Sequence, residues 1–440
     1  MKRFCSLLLA LLLLVLCCSA VSCGKKQNAL LTYQKDGKTL TFPSNYFELL
    51  ASRAKGSLAA SGVTVGGYNA TEDAFWNYTD KFDGETVETL NEYETKQILE
   101  SCKYYLAAHA LFSERGLTLS DAVTKELEDT LAELVETDAD GSKAKFNGVL
   151  SAYGVNYDLL LELYRMEEEI DALKESLYGK NASLVGKALK EEYLNEQYLH
   201  LYLVRIDPYT YLYETDENGD EIYYDAENNK IAYDTVVGVR VVEDNGSVTY
   251  RLPDENGNAT ERYAYDKEKG VRAIALAEDG SSYATAPLSG DALDAFYDKV
   301  AELSTIKTKA DFEMAYAEES AYLQENEEAS GYVGDLYLPT NASYNSILDE
   351  IVDSLLGMEV GEVAFLDDES GNYYLFCKSA PESGAYENEQ YATWFSGFAA
   401  GLVNGLFEDA CRVLFPYITV NEAVLQTLPS MKEIKPNYYY

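Results

Sequence analysis

The spacing of the apolar residues changes at residue 198, and this change constrains the fold more than any other feature. Up to residue 197, most segments repeat apolar residues at helical spacing, as in 156–178. From Tyr198 to Asp207 the sequence is instead Tyr-Leu-His-Leu-Tyr-Leu-Val-Arg-Ile-Asp, whose β-branched and aromatic content is typical of a strand. The sequence therefore predicts an α+β protein in which a helical domain precedes a sheet.

The chain after this strand predicts one small mixed domain. The patterns indicate helices at 291–303, 309–319 and 344–356, and strands at 334–338, 362–366 and 373–378. Together with the strand at 198–207, these elements follow the order β-α-α-β-α-β-β. We expect residues 198–207 and 331–378 to pair in one small sheet.

Residues 208–288 interrupt this domain and predict a β-hairpin insertion. Asn218-Gly219, Asn245-Gly246 and Asn256-Gly257 each lie between strand-like runs, which is the strongest short-range signal for a hairpin. The acidic turns leave a calcium site open as an alternative. No loop has the ligand order of a helix–loop–helix calcium site, so solvated turns are the simpler interpretation.

The first residues predict export and a lipid anchor. Lys2 and Arg3 precede an apolar run from Leu7 to Leu16, which is the order of a secretory signal and is shorter than the ~20 residues of a membrane span. Ala20-Val21-Ser22-Cys23 resembles the bacterial lipobox. The resemblance implies that acylated Cys23 anchors the chain to the extracytoplasmic face of the cell membrane. The alternative is cleavage after Ala20, which would leave a free thiol.

The charge of the chain excludes one class of partner. The formal net charge is −40, and loss of Lys2 and Arg3 with the signal leaves 33 basic against 75 acidic residues. A surface this acidic repels phosphate backbones, so we expect no nucleic-acid partner. The same charge favours solubility and attracts basic unfolded segments.

Histidine and cysteine are too scarce for several kinds of site. His109 and His200 are the two histidines, which excludes a three-histidine metal site and argues against a histidine-dependent hydrolase. Cys102, Cys377 and Cys411 have neither a disulfide-framework spacing nor a zinc spacing, so we expect them to be buried. The sequence predicts no cofactor and no metal.

Three stretches, taken with the order of elements, resemble the PrsA/SurA-type extracytoplasmic foldases. Leu31–Phe47 is similar to the family's opening hairpin and first helix, and Tyr153–Leu160 is similar to a helix start of its N-terminal domain. In the second domain, three motifs resemble the parvulin prolyl-isomerase fold: Gly334-Asp335-Leu336, Met358–Val363 and Gly371–Phe376.

The resemblance implies a division of the chain into five parts. They are a signal peptide at 1–22, a lipidated tether at 23–30, a helical SurA-N-like chaperone domain at 31–197, a parvulin-like domain at 198–385 with its insertion at 208–288, and a C-terminal helical segment at 386–440. We expect this last segment to pack back on the helical domain.

The resemblance also implies an apolar site for a proline-containing segment. Counting from Gly361 places the two proline-pocket positions at Ile347 and Ile351, which lie four residues apart on one helix face. Leu336 and Met358, from the matching motifs, complete the predicted substrate-binding set. The alternative is that Ile347 and Ile351 are ordinary core residues of their helix.

The polar positions of the family are only partly retained. The first histidine position falls on Tyr202 or Leu203 depending on register, with His200 two or three residues early. The second falls on Tyr374, and the Cys/Asp position falls on Glu327. Tyr202, Glu327 and Tyr374 are therefore the catalytic candidates. A tyrosine can donate a hydrogen bond, so we expect weak isomerase activity at most.

The sequence thus predicts a membrane-anchored foldase or chaperone whose partners are unfolded or nascent secreted polypeptides. The alternative function is that of a non-catalytic surface lipoprotein that binds a glycan or a protein through the Tyr/Asp-rich insertion.

Overall fold

The computed structural model describes residues 28–215 and 282–440, except 327–328, 343, 345 and 369, together with short pieces of 216–281. These pieces are 223–225, 230–231, 239–242, 248–253, 256, 258–263, 270–272, 274–277 and 280. The predicted signal peptide and Cys23 lie outside the described residues. The chain divides into two compact units. Of the described residues, those from 28 to 186 and Gly397–Tyr440 form the helical unit, and those within Lys187–Ser396 form the sheet unit.

The helical unit combines helices with short strands. Its helices are α1 (Ser44–Ala60), α2 (Asp73–Asn77), α3 (Leu90–Glu114), α4 (Asp121–Ala139), α5 (Lys143–Leu150), α6 (Tyr157–Tyr178), α11 (Phe398–Arg412) and α12 (Glu422–Leu425). Its strands are β1 (Ala29–Lys35), β2 (Lys38–Pro43), β3 (Thr64–Val65), β4 (Tyr68–Asn69), β5 (Thr79–Asp80), β6 (Glu88–Thr89) and β18 (Ile418–Val420). Single 3-10 turns occupy Ser151–Tyr153, Lys180–Ala182 and Phe415–Tyr417.

Local sequence signals explain how several of these elements begin. The hairpin β1–β2 turns at Asp36-Gly37, where both residues have positive φ, as the favoured two-residue hairpin turn requires. Thr89 forms a capping box with Glu92 at the start of α3. The side chains of Ser120 and Asn156 accept backbone N–H groups at the starts of α4 and α6.

The core of the helical unit surrounds α3. Leu106 of α3 and Leu160 of α6 are fully buried in one apolar cluster, and so is Phe407 of α11. Tyr104 meets the Phe407 ring edge-on at 5.5 Å between centroids. The strand β18 pairs with β1 in register Tyr33↔Ile418, so residues far apart in sequence close this unit.

The sheet unit is built around one long central strand. Its strands are β7 (Tyr198–Tyr211), β14 (Thr285–Pro287), β15 (Ala329–Pro339), β16 (Val363–Asp367) and β17 (Tyr373–Ser379). Its helices are α7 (Lys187–Gln197), α8 (Asp291–Ser304), α9 (Lys309–Glu325) and α10 (Ser346–Gly357), with 3-10 turns at Ala385–Glu387 and Glu389–Tyr391. The strand order is β14-β7-β17-β16, β15 also pairs with β7, and every pairing is antiparallel.

The sheet unit begins before residue 198 and continues past 385, in contrast to the expected boundaries. The helix α7 runs directly into β7, and Glu191 on α7 accepts hydrogen bonds from Gly384 N (3.0 Å) and Ser383 Oγ (3.1 Å). Tyr391 and Phe395 pack on Tyr337 at 4.8 and 4.9 Å between ring centroids. These contacts attach both flanking segments to the sheet.

The interruption also begins later than 208, because β7 continues through Pro208 to Tyr211, which pairs with Thr285. Described strands within it are β8 (Tyr223–Asp225), β9 (Lys230–Ile231), β10 (Val239–Val242), β11 (Val248–Pro253), β12 (Ala259–Tyr263) and β13 (Gly270–Arg272). They pair antiparallel in the orders β10-β11-β12 and β13-β8-β9. The predicted turn residues Asn218-Gly219, Asn245-Gly246 and Gly257 lie outside the described residues. Within the described part of the chain, no helix has the length and apolarity of a membrane span.

Candidate functional site

The two faces of the central sheet carry different layers of side chains. Successive residues of a strand point to opposite faces. On β7, Leu201 and Leu203 belong to the cluster formed with α10, whereas Val204 belongs to the cluster formed with α8 and α9. We call these the α10 face and the α8/α9 face. The predicted site residues are divided between them.

The α10 face holds all four predicted substrate-binding residues. Ile347 and Ile351 of α10, Leu336 of β15 and Met358 just after α10 belong to one apolar cluster, as does Tyr374 of β17. Ile351 is 0% exposed, and Leu336 and Tyr374 are each 7% exposed. Ile347 and Met358 are partly exposed at the edge of the cluster. The five residues are thus neighbours, and three of them, Ile351, Leu336 and Tyr374, are buried.

Side chains of this chain occupy the space around Ile351. Leu201, Leu338, Leu355 and Phe376 are all 0% exposed and belong to the same cluster. A proline ring could reach Ile351 only by displacing some of them. The geometry of Ile351 is therefore that of a helix core residue, which is the alternative that the sequence left open.

Tyr202 lies on the α8/α9 face, so it cannot form a polar cluster with Tyr374. It packs in the cluster of Val204 and Phe312, and its ring meets Tyr316 edge-on at 5.7 Å. Of the two alternatives for this position, Leu203 is the one that shares the α10 face with Ile351. This corrects the expectation that Tyr202 and Tyr374 stand in for paired histidines. Glu327 lies outside the described residues, as does Cys23.

The hydroxyl of Tyr374 is already engaged by a turn. It donates to Asp368 Oδ2 at 3.1 Å. Asp368 also accepts from the side chain of Asn372 (2.7 Å) and from the backbone N–H of Ser370 (2.9 Å). Burial and then the bond to Asp368 raise the pKa of Tyr374 to about 12. Burial alone would raise the pKa of Asp368, but these hydrogen bonds lower it overall.

The structure assembles a polar cluster on the other face that the sequence reasoning missed. We call it the His200 cluster, and it contains His200, Asp335, Tyr337 and Tyr391. The ring of His200 stacks on Tyr337 at 4.2 Å between centroids, and Nε2 lies 3.4 Å from Asp335 Oδ2. The Tyr391 hydroxyl donates to the same carboxylate oxygen. Burial, followed by this bond, raises the pKa of Tyr391.

The contact with Ala380 assigns the tautomer of His200. Nδ1 lies 3.0 Å from the Ala380 carbonyl oxygen, which can only accept, so Nδ1 carries a proton. The side chain of His200 is 0% exposed, so it cannot meet a substrate from solvent. Tyr337 is paired with His200 in the β7–β15 register. This cluster could therefore be found from the sequence only if that register were already known.

Two of the concave surfaces formed by the described residues lie in the helical unit. The acidic groove, about 230 Å³, lies between α4 and α6. Its floor is Val123, Leu127 and Tyr164, and its rim is Glu126, Glu167 and Glu168. The helix-end cleft, about 510 Å³, lies between the end of α6 and the start of α11 and is lined by residues that include Lys174, Ala400 and Val403. Both surfaces combine apolar and charged side chains. Neither is lined by a residue of the predicted site.

Comparisons with known proteins give weak similarity. No protein-family model matches the chain, and no curated protein matches it. The crystal structure of foldase protein PrsA from Streptococcus pneumoniae str. Canada MDR_19A aligns with 9% identity and a TM-score of 0.21, covering 78% of this chain and 95% of that chain. The crystal structure of PrsA from Bacillus subtilis aligns with 12% identity and a TM-score of 0.19, covering 78% and 93%. TM-scores this low support no conclusion about fold or function.

Proposed function

We propose that this chain is a membrane-anchored, extracytoplasmic chaperone of the foldase type that holds unfolded secreted polypeptides. One observation carries the proposal. One antiparallel sheet and its helices follow the chain order β-α-α-β-α-β-β. The elements in that order are β7, α8, α9, β15, α10, β16 and β17. This is the order expected of a parvulin-like domain, and it occurs in a chain whose first residues resemble a lipoprotein signal.

The helical unit offers surfaces suited to holding an unfolded chain. An unfolded polypeptide presents apolar and charged side chains together, and long charged side chains lay an apolar stem along apolar surface. The acidic groove and the helix-end cleft both supply this combination. The acidic surface also keeps a loaded complex soluble.

Little or no prolyl isomerisation is expected of the proposed function. Leu203 and Ile351 pack in one buried cluster, whereas His200 lies on the opposite face of β7. The hydroxyl of Tyr374, the polar group expected there, already donates to Asp368. We therefore expect isomerisation close to the uncatalysed rate, which corresponds to tens of seconds or longer at 25 °C.

An aggregation assay tests the proposal. The mature chain is made with Cys23→Ser so that it stays unacylated, and it is added in equal molar amount to a denatured secreted reporter during dilution. We expect light scattering to fall well below that of the reporter alone. Scattering equal to that seen with an inert protein at the same concentration would contradict the proposal.

A protease-coupled prolyl-peptide assay on the same preparation tests the isomerase part separately. We expect the rate to match buffer within error while scattering is still suppressed. A rate well above buffer would show that the α10 face opens to a proline segment, and it would overturn this part alone.

A further inference from the structure

The acidic groove joins an apolar floor to an excess of negative charge. Leu127 is buried at its base, Val123 and Tyr164 are half-buried, and Glu126 and Glu168 stand at the rim. Its volume of about 230 Å³ is smaller than the roughly 300–1,000 Å³ of sites for drug-sized ligands. A groove of this size suits one long side chain rather than a folded surface.

The chain itself shows what chemistry suits this groove. Arg53 Nη1 pairs with Glu167 Oε1 at 2.6 Å, and the Arg53 guanidinium carbon lies 5.5 Å from the centroid of the Tyr164 ring. Tyr105 donates to the same Glu167 oxygen at 3.0 Å. One rim carboxylate is thus neutralised by a guanidinium that also lies within cation–π distance of the aromatic floor.

The other two rim carboxylates have no such partner. Among the ion pairs of the described residues, none involves Glu126, Glu168 or the neighbouring Asp171. Burial and then the charges of Asp171, Glu126 and Glu167 raise the pKa of Glu168, so these carboxylates lie close enough to repel one another. A cation placed between them would relieve this repulsion.

We propose that the acidic groove binds a lysine or arginine side chain of an unfolded client polypeptide, an inference that rests on the proposed function and names the chemistry of its substrate. The aliphatic stem covers Val123 and Leu127, and the cationic end lies between Glu126 and Glu168. The rim carboxylates repel anionic side chains. A purely apolar side chain binds weakly as well, because it leaves the charges of the rim carboxylates uncompensated.

A peptide-binding experiment tests this assignment. The mature chain with Cys23→Ser is titrated against a fluorescent, unstructured peptide with one central lysine among small and apolar residues. A second peptide carries N-acetyl-lysine at that position, which keeps the stem and removes the charge. Fluorescence anisotropy reports the affinity of each.

Two double variants separate the groove from the overall charge. The test variant is Glu126→Gln with Glu168→Gln. The matched control is Glu128→Gln with Glu162→Gln, which changes the same two helices at exposed positions outside the groove and alters the net charge equally. We expect the test variant to bind the lysine peptide roughly tenfold more weakly, as the loss of two ion pairs implies, and the control to match the parent.

Each outcome has a defined meaning. An equal loss in both double variants would assign binding to net charge and overturn the groove. Equal affinity for the acetylated peptide would overturn the requirement for a cation. Competition by Ca²⁺ that disappears in the test variant, with no lysine selectivity, would assign the groove to a metal ion instead. Removing like charges does not weaken the fold, so we expect the thermal midpoint of the test variant to be no lower than that of the parent.

The aggregation assay distinguishes failure of this inference from failure of the proposed function. If the parent suppresses aggregation but does not distinguish the two peptides, the groove assignment is wrong and the chaperone function is supported. If the parent binds the lysine peptide more tightly but does not suppress aggregation, the groove assignment is supported and the chaperone function is wrong.

Discussion

Replacing Ile351 with alanine separates a packed core from an open binding site. The change removes three buried carbon atoms at about 0.8 kcal/mol each, or about 2.5 kcal/mol together. The cavity left behind adds about 1 kcal/mol, because the surrounding cluster relaxes only in part. We therefore expect Ile351→Ala to lower the free energy of unfolding of the sheet unit by about 3–4 kcal/mol.

The two tryptophans allow this unit to be followed by itself. Trp76 is buried in the helical unit, and Trp394 packs against the cluster that contains Ile351. On a Trp76→Phe background, Trp394 fluorescence during urea denaturation reports the sheet unit. At typical urea sensitivities, Ile351→Ala should lower the midpoint by more than about 1 M.

The matched control is Ile347→Ala, one helical turn away on the same face and partly exposed. Partial exposure should limit its cost to about half that of Ile351→Ala, or about 1–2 kcal/mol. The reasoning is refuted if Ile351→Ala leaves the urea midpoint unchanged while client or prolyl-peptide affinity falls. That result would make Ile351 the exposed floor of a binding site.

Three further predictions follow from particular side chains. Because the folded-state pKa of Asp368 lies below its ordinary value of 3.8, it contributes stability above pH 3.8 that is lost as the pH falls through the folded-state pKa. Asp368→Asn should therefore flatten the acid dependence of the sheet-unit urea midpoint, and parallel curves would contradict this. Burial raises the thiol pKa of Cys102, Cys377 and Cys411, the last to about 12. A thiol reagent should therefore label these cysteines only after denaturant is added, and rapid labelling of the native protein would contradict this. Cys23→Ser should abolish the incorporation of labelled fatty acid into the chain, as metabolic labelling would detect, and unchanged incorporation would argue against a lipid anchor at Cys23.

Local patterns in the sequence predicted the elements of the sheet unit well. The helix expected at 291–303 is Asp291–Ser304, and the strand expected at 373–378 is Tyr373–Ser379. In both segments the spacing of the apolar residues alone indicates the element, without knowledge of which residues pack against it. The mixed α+β class follows from the same patterns.

The limits of the elements were harder to predict, because contacts distant in sequence set them. Pro208 favours the end of a strand, because proline cannot donate a backbone hydrogen bond, but β7 continues through it. Its carbonyl accepts from Leu288 N at 2.9 Å, and the strand pairs beyond it with β14. The attachment of Glu191 to Gly384 likewise depends on residues 193 positions away.

The site was predicted least well, since counting residues does not fix the face of a strand. A shift of one residue moves a side chain to the opposite face of the sheet. Tyr202 and Leu203 were equivalent alternatives in the sequence, and the pairing with β15 and β17 puts Leu203 beside Ile351. The contact of His200 with Asp335 depends on that same register, which no local pattern encodes.

The most direct test of the account is whether this chain binds unfolded polypeptides in preference to folded ones. Titration calorimetry would compare a secreted protein kept unfolded by reduction and alkylation of its disulfides with the same protein in its native form. The account predicts measurable binding of the unfolded form, weakened by salt, and none of the native form. Equal binding of both forms, or binding of neither, would contradict it.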